Sequence, residues 1–60
     1  MKIHSIKIDL LMDDGNIDTV EYHKIIHEYE NANFVKLETI DKVYIYIPLN
    51  RIRYMIMREV

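Results

Sequence analysis

Apolar and polar positions alternate with a period of two along most of this chain. Ile6, Ile8, Leu10 and Met12 alternate with Lys7, Asp9 and Leu11, which places four apolar side chains on one face of an extended segment. Asp13-Asp14-Gly15-Asn16 follows. Asp-Gly ahead of a second β-prone stretch predicts a reversal, because Gly and Asn accept the positive φ of a tight hairpin turn. Phe34–Thr39 alternates again, Asp41-Lys42 offers a short turn, and residues 43–47 (VYIYI) are β-branched or aromatic throughout, so a second hairpin is expected. Pro48 has no amide hydrogen and therefore ends that strand or sits at an unpaired position. Beyond it Ile52, Tyr54 and Ile56 alternate with Arg53, Met55 and Met57 in a last strand.

Residues 17–33 admit two readings. Tyr22, Ile25, Ile26 and Tyr29 fall at i, i+3, i+4 and i+7, and Asp18 with Glu21 forms a capping box, which together describe an amphipathic helix over about 18–31. Against it, Asp18-Thr19-Val20 and Ile25-Ile26 are poor helix formers, and Asn31-Ala32-Asn33 between two β-prone runs marks a hairpin. The main expectation is a mainly β fold, a five- or six-stranded antiparallel meander curling into a small barrel. The alternative is α+β, an antiparallel sheet carrying one helix.

Length and composition narrow the picture. Sixty residues with one Gly, one Pro, no Cys and half of all positions hydrophobic describe one folded domain, 1–60, whose single core is too small to enclose a water-excluding cleft. With no disulfide available, a marginal core is best completed by a second subunit. The longest uncharged stretch, residues 43–50, is too short to cross a bilayer, and Met1-Lys2 leads into alternating residues instead of an apolar run with a cleavage site. The expectation is a cytoplasmic protein without a membrane partner. The net charge of −2 is unevenly spread: residues 1–42 carry five Lys against nine acids, residues 43–60 three Arg against one Glu.

Few residues offer chemistry. His23 and His27 would chelate a metal on a helix, with Glu28 adjacent, but on a strand they stand roughly 13 Å apart, so no metal is expected. Ser5 lacks a glycine-rich elbow, Asp13-Asp14 suits a turn, and the single Gly15 cannot make a phosphate loop. No catalytic residue and no cofactor are assigned. Two surfaces stand out instead. Arg51 and Arg53, two apart, would share a strand face that Met55 and Met57 continue; with Tyr44, Tyr46 and Tyr54 this is a phosphate-contacting ridge beside stacking rings, or a set of ion pairs. Residues 43–47 are apolar on both faces, and Tyr44, Tyr46, Met55 and Met57 are residue types enriched at protein interfaces.

The run Asn33-Phe34-Val35-Lys36-Leu37 followed by Tyr46-Ile47-Pro48-Leu49-Asn50-Arg51-Ile52-Arg53-Tyr54 resembles a pattern of short prokaryotic and phage proteins with small, SH3-like β-barrels. In that pattern the Pro-Leu-x-x-Ile segment is a one-turn corner between strands. A weaker similarity links Leu11, Asp13-Asp14-Gly15 and Glu21-Tyr22-His23-Lys24 to the short phage inhibitor of uracil-DNA glycosylase, a dimeric DNA mimic, from which the Arg-containing C-terminal half departs. Together these readings describe a non-enzymatic, phage-type binding module or inhibitor. It is expected to form a homodimer through Tyr44, Tyr46, Met55 and Met57 and to occupy a surface of a larger protein. The alternatives are a single-stranded nucleic-acid-binding barrel using Arg51 and Arg53, and a DNA-mimic inhibitor.

Overall fold

The computed structural model describes residues 2–59, and 71% of these are strand. Five strands, β1 (His4–Leu11), β2 (Ile17–Glu30), β3 (Phe34–Thr39), β4 (Tyr44–Pro48) and β5 (Ile52–Glu59), form one antiparallel sheet in the order β4-β3-β2-β1-β5. A single 3-10 turn, Leu49–Arg51, joins β4 to β5. The helix considered for residues 18–31 is not formed: the segment is the longest strand of the sheet and pairs with β1 and β3 on its two edges.

β2 cannot be straight. Fourteen residues at ~3.3 Å per step would reach about 43 Å, yet the whole molecule is 37 Å long. Its bends coincide with two register shifts. Against β1, two residues, His23 and Lys24, lie where β1 has only Ser5, and Lys24 adopts a left-handed φ of 59°. Against β3, Ile26 is the extra residue. A third shift sets Arg53 between the pairs Asp9–Tyr54 and Leu10–Ile52. Each bulge sharpens the local twist. The sheet therefore rolls into a deep trough. Laid flat, β4 and β5 would lie four strand spacings apart, about 19 Å, whereas the 3-10 turn linking Pro48 to Ile52 covers roughly 8 Å. The two edge strands approach at that corner, but no ladder joins them. The barrel expected from the sequence is thus an open meander, with free edges on β4 and β5.

The concave side is the core. Ile6 and Ile8 of β1, Ile25 of β2, Val35 and Leu37 of β3 and Ile47 of β4 are buried, and Leu10, Tyr22, Ile45, Leu49, Ile52 and Met55 pack around them. Register explains why these meet: Ile8 pairs with Val20 and Met55, Leu37 with Ile45, Val35 with Ile47, and directly opposed residues share a face. Met12 and Val43, expected on strands, lie just outside them and are 40% and 53% exposed.

The first turn is held by local chemistry. Gly15 has φ +85°, and the Asp14 carboxylate accepts bonds from the Asn16 backbone N–H (2.9 Å) and side-chain amide (3.0 Å). These bonds favour the charged form and hold the carboxyl below its ordinary 3.8. A depressed carboxylate pKa contributes stability that is present above the unfolded pKa and is lost as pH falls through the folded one. Chemical-shift titration below pH 4 is therefore expected to show the Asn16 amide losing its hydrogen-bonded shift together with Asp14 protonation. Asp14→Ala should remove that transition.

Candidate protein-binding surface

The convex face of β3 and β4 gathers aromatic side chains that have no core to enter. Register sets Lys36 opposite Tyr46 and Glu38 opposite Tyr44 across β3–β4, and Lys36 opposite Tyr29 across β2–β3, so these residues face outward together. Val35, Leu37 and Ile47, their strand neighbours, point into the trough. Phe34 meets Tyr46 edge to face, with ring centroids 5.3 Å apart and planes at 70°. The Lys36 ammonium lies 4.8 Å from the Tyr44 ring centroid and 5.9 Å from that of Tyr46. Cation–π attraction holds its stem across the two rings. Tyr29, Tyr44 and Tyr46 are nevertheless 57%, 51% and 57% exposed.

Beside this face, at the corner, an open groove of about 290 Å³ runs between the end of β1 and the end of β4, lined by Leu10, Leu11, Met12, Tyr22 and Pro48. Arg51 closes one side. Its guanidinium donates to the Leu11 carbonyl (3.3 Å) and forms an ion pair with Asp13, tying the corner to the first hairpin. Arg53 stands at the β5 bulge and reaches the Asn50 carbonyl at 3.4 Å. The shared strand face expected for Arg51 and Arg53 does not form, because Arg51 belongs to the 3-10 turn and Arg53 to the bulge.

The four residues expected at one interface divide between the two sides of the sheet. Tyr44 and Tyr46 lie on the convex face; Met55 and Met57 pair with the buried Ile8 and Ile6 on the concave side. Met55 packs on the core, whereas Met57 remains 47% exposed at the open edge. Tyr54 lies opposite Asp9 on β5, the edge strand at the other end of the strand order from Tyr44 and Tyr46. No single flat contact covers all four interface residues. Tyr29, Phe34 and Lys36 escape a reading of the sequence, since Phe34 and Lys36 join this face through the β3–β4 register and Tyr29 through the β2–β3 register.

His23 lies on β2 3.8 Å from Glu21. Among the described residues, no three His, Cys, Asp or Glu side chains are grouped to hold a metal ion, and no helix is long and apolar enough to cross a membrane. Compared with protein-family models, with curated proteins and with solved structures, the chain matches none.

Proposed function

We propose that this protein is a non-enzymatic binding module that works as a homodimer and places the convex aromatic face of β3 and β4 on the surface of a larger protein. The observation that supports this reading most is the cluster Tyr29, Phe34, Tyr44 and Tyr46 gathered on one outward face, three of them more than half exposed. Aromatic rings on a rigid sheet supply large contact area with little side-chain entropy to lose, which is why they dominate the energetics of protein interfaces. Lys36 crosses the middle of this face and Glu38 lies opposite Tyr44, so charges of both signs accompany the rings. The acidic residues nearest the groove have structural work: Asp13 pairs with Arg51, and Asp14 holds its own turn.

The same rings, with Lys36 lying over two of them, would also suit stacked nucleobases. Charge weighs against that use, since nine acids against five Lys in residues 1–42 oppose the approach of a polyanion. The test is capture of the partner from the native host, followed by titration of the isolated partner. Tyr46→Ala is expected to weaken binding on the order of 10- to 100-fold, as for a central aromatic anchor, with the circular dichroism unchanged. Unchanged affinity in Tyr44→Ala and Tyr46→Ala alike would rule out this face. Salt-sensitive, micromolar binding to a single-stranded oligonucleotide at about 150 mM salt would favour the nucleic-acid reading instead.

A further inference from the structure

The homodimer reading leaves open which part of the molecule meets its copy, and the following inference rests on that reading. β5 pairs with β1 along one edge only; the Ile52 N–H is taken by the Leu49 carbonyl, and beyond it, among the described residues, the other edge of β5 has no partner strand. An open edge of this kind is normally blunted by shortness, by proline or by charge. β4, the other edge strand, has five residues and ends in Pro48; β5 has eight and no proline. Its middle, Met55-Ile56-Met57, is apolar on both sides. On the concave side the row Ile6–Met57 runs from a fully buried residue straight to one that is 47% exposed, so the core layer stops at the edge of the sheet.

We propose that two copies of the chain pair antiparallel through β5, centred on Ile56, to form a continuous ten-stranded sheet about a twofold axis. A twofold antiparallel pair sets each residue opposite one of its own face, so the sequence itself can be tested for self-complementarity. Centred on Ile56, Met55 meets Met57 of the second copy on the concave side, extending the core row across the axis. Ile56 meets its own copy on the axis, Tyr54 meets Arg58, and Arg53, at the bulge that ends the regular part of the strand, lies at the end that faces Glu59; every contact except Ile56–Ile56 occurs twice. Tyr54, Met57, Arg53, Arg58 and Glu59 are all exposed in the single chain and thus free to make these contacts. Glu59 already meets Lys2 at 3.2 Å, and a carboxylate has acceptor sites for both cations.

Neighbouring registers are worse. A centre on Met55 sets Arg58 against Ile52 and Arg53 against Met57; a centre on Tyr54 sets Arg53 against Met55. The charges at the two ends of β5 thus select one register out of several that the apolar middle would allow, instead of blocking pairing altogether.

Sedimentation equilibrium of the full chain at about 100 μM is expected to give twice the 7.3 kDa chain mass. Arg53→Glu and Glu59→Arg alone should each weaken dimerisation about tenfold, because each replaces two symmetric attractions by two repulsions between directly opposed residues. The double variant R53E/E59R should return to within about threefold of the unmodified protein. All four positions altered in the dimer are surface sites, so circular dichroism should stay constant. A monomer at that concentration overturns the inference. So does a dimer whose strength ignores both single reversals, or a double variant no stronger than the singles. A monomer that still binds its partner through Tyr46 would remove this dimer while leaving the aromatic docking face intact; a β5 dimer whose partner affinity ignores Tyr44→Ala and Tyr46→Ala would do the reverse.

Discussion

Ile8→Ala is expected to cost about 3 to 4 kcal/mol of unfolding free energy, enough to leave a large fraction of the chain unfolded at 25 °C. Ile8 is fully buried at the centre of β1, the one strand paired with both β2 and β5, and its register partners Val20 and Met55 line the same trough. Truncation removes three carbons from the floor of the only core cluster among the described residues, and strands hydrogen-bonded on both sides have little freedom to collapse into the gap. A domain of this length has roughly 3 to 9 kcal/mol in total, so the loss is comparable with the whole. Urea denaturation followed by circular dichroism measures it, at fixed protein concentration because association adds to the stability of a dimer. A loss below about 1 kcal/mol would mean that the trough is loosely packed. Ile17→Ala, at a position 49% exposed, serves as the control and should change little.

Asn31→Ala is expected to destabilise by about 1 to 2 kcal/mol although Asn31 touches no core residue's side chain in any specific bond. The Asn31 side-chain oxygen accepts from the backbone N–H of Asn33 (2.7 Å) and of Phe34 (3.0 Å), while its own N–H donates to the Phe34 carbonyl (3.1 Å). This Asx arrangement closes the β2–β3 hairpin at the end where Glu30 pairs with Val35. The Phe34 amide is partly buried, so without the side-chain oxygen it keeps part of its desolvation cost with no partner. Asn31→Asp retains the acceptor and should recover most of the loss, whereas a smaller effect than about 0.5 kcal/mol in Asn31→Ala would show that water replaces the carboxamide at no cost. Because this hairpin sets the register that gathers Tyr29, Phe34 and Lys36, the same variant should broaden the amide resonances of the aromatic face.

Local sequence signals were sufficient where a few adjacent residues decide the backbone. The alternation in β1, β3 and β5, the reversal at Asp14-Gly15 and the turn at Asp41-Lys42, where Lys42 has φ 64°, are all readable because strand periodicity and turn stereochemistry act over two to four residues. β2 shows where this fails. The spacing Tyr22, Ile25, Ile26, Tyr29 imitates a helix because two bulges insert one residue each into an otherwise alternating strand: Tyr22 and Ile25 both face the trough, three positions apart, since His23 and Lys24 together oppose a single residue of β1. A bulge exists only against a partner strand, so its effect on periodicity cannot be seen in one segment alone.

The site followed the same division. That Tyr44 and Tyr46 share a face is a matter of strand period, and the sequence by itself determined it. That Lys36 crosses their rings, that Phe34 and Tyr29 join them, and that Met55 and Met57 lie on the other side of the sheet depended on how all five strands register. Arg51 and Arg53, two apart in sequence, were separated by the boundary between a 3-10 turn and a bulged strand, and Arg51 found Asp13 because the β1–β5 register sets Ile52 opposite Leu10 and so brings the residue before it to the end of β1. Composition and alternation thus specified a small antiparallel β protein with more apolar surface than one side of a sheet can bury. Tertiary structure alone decided which of that surface was enclosed, which was gathered into an aromatic face, and which strand edge stayed open, because those outcomes depend on pairings between strands, with partners from 5 to 55 positions apart.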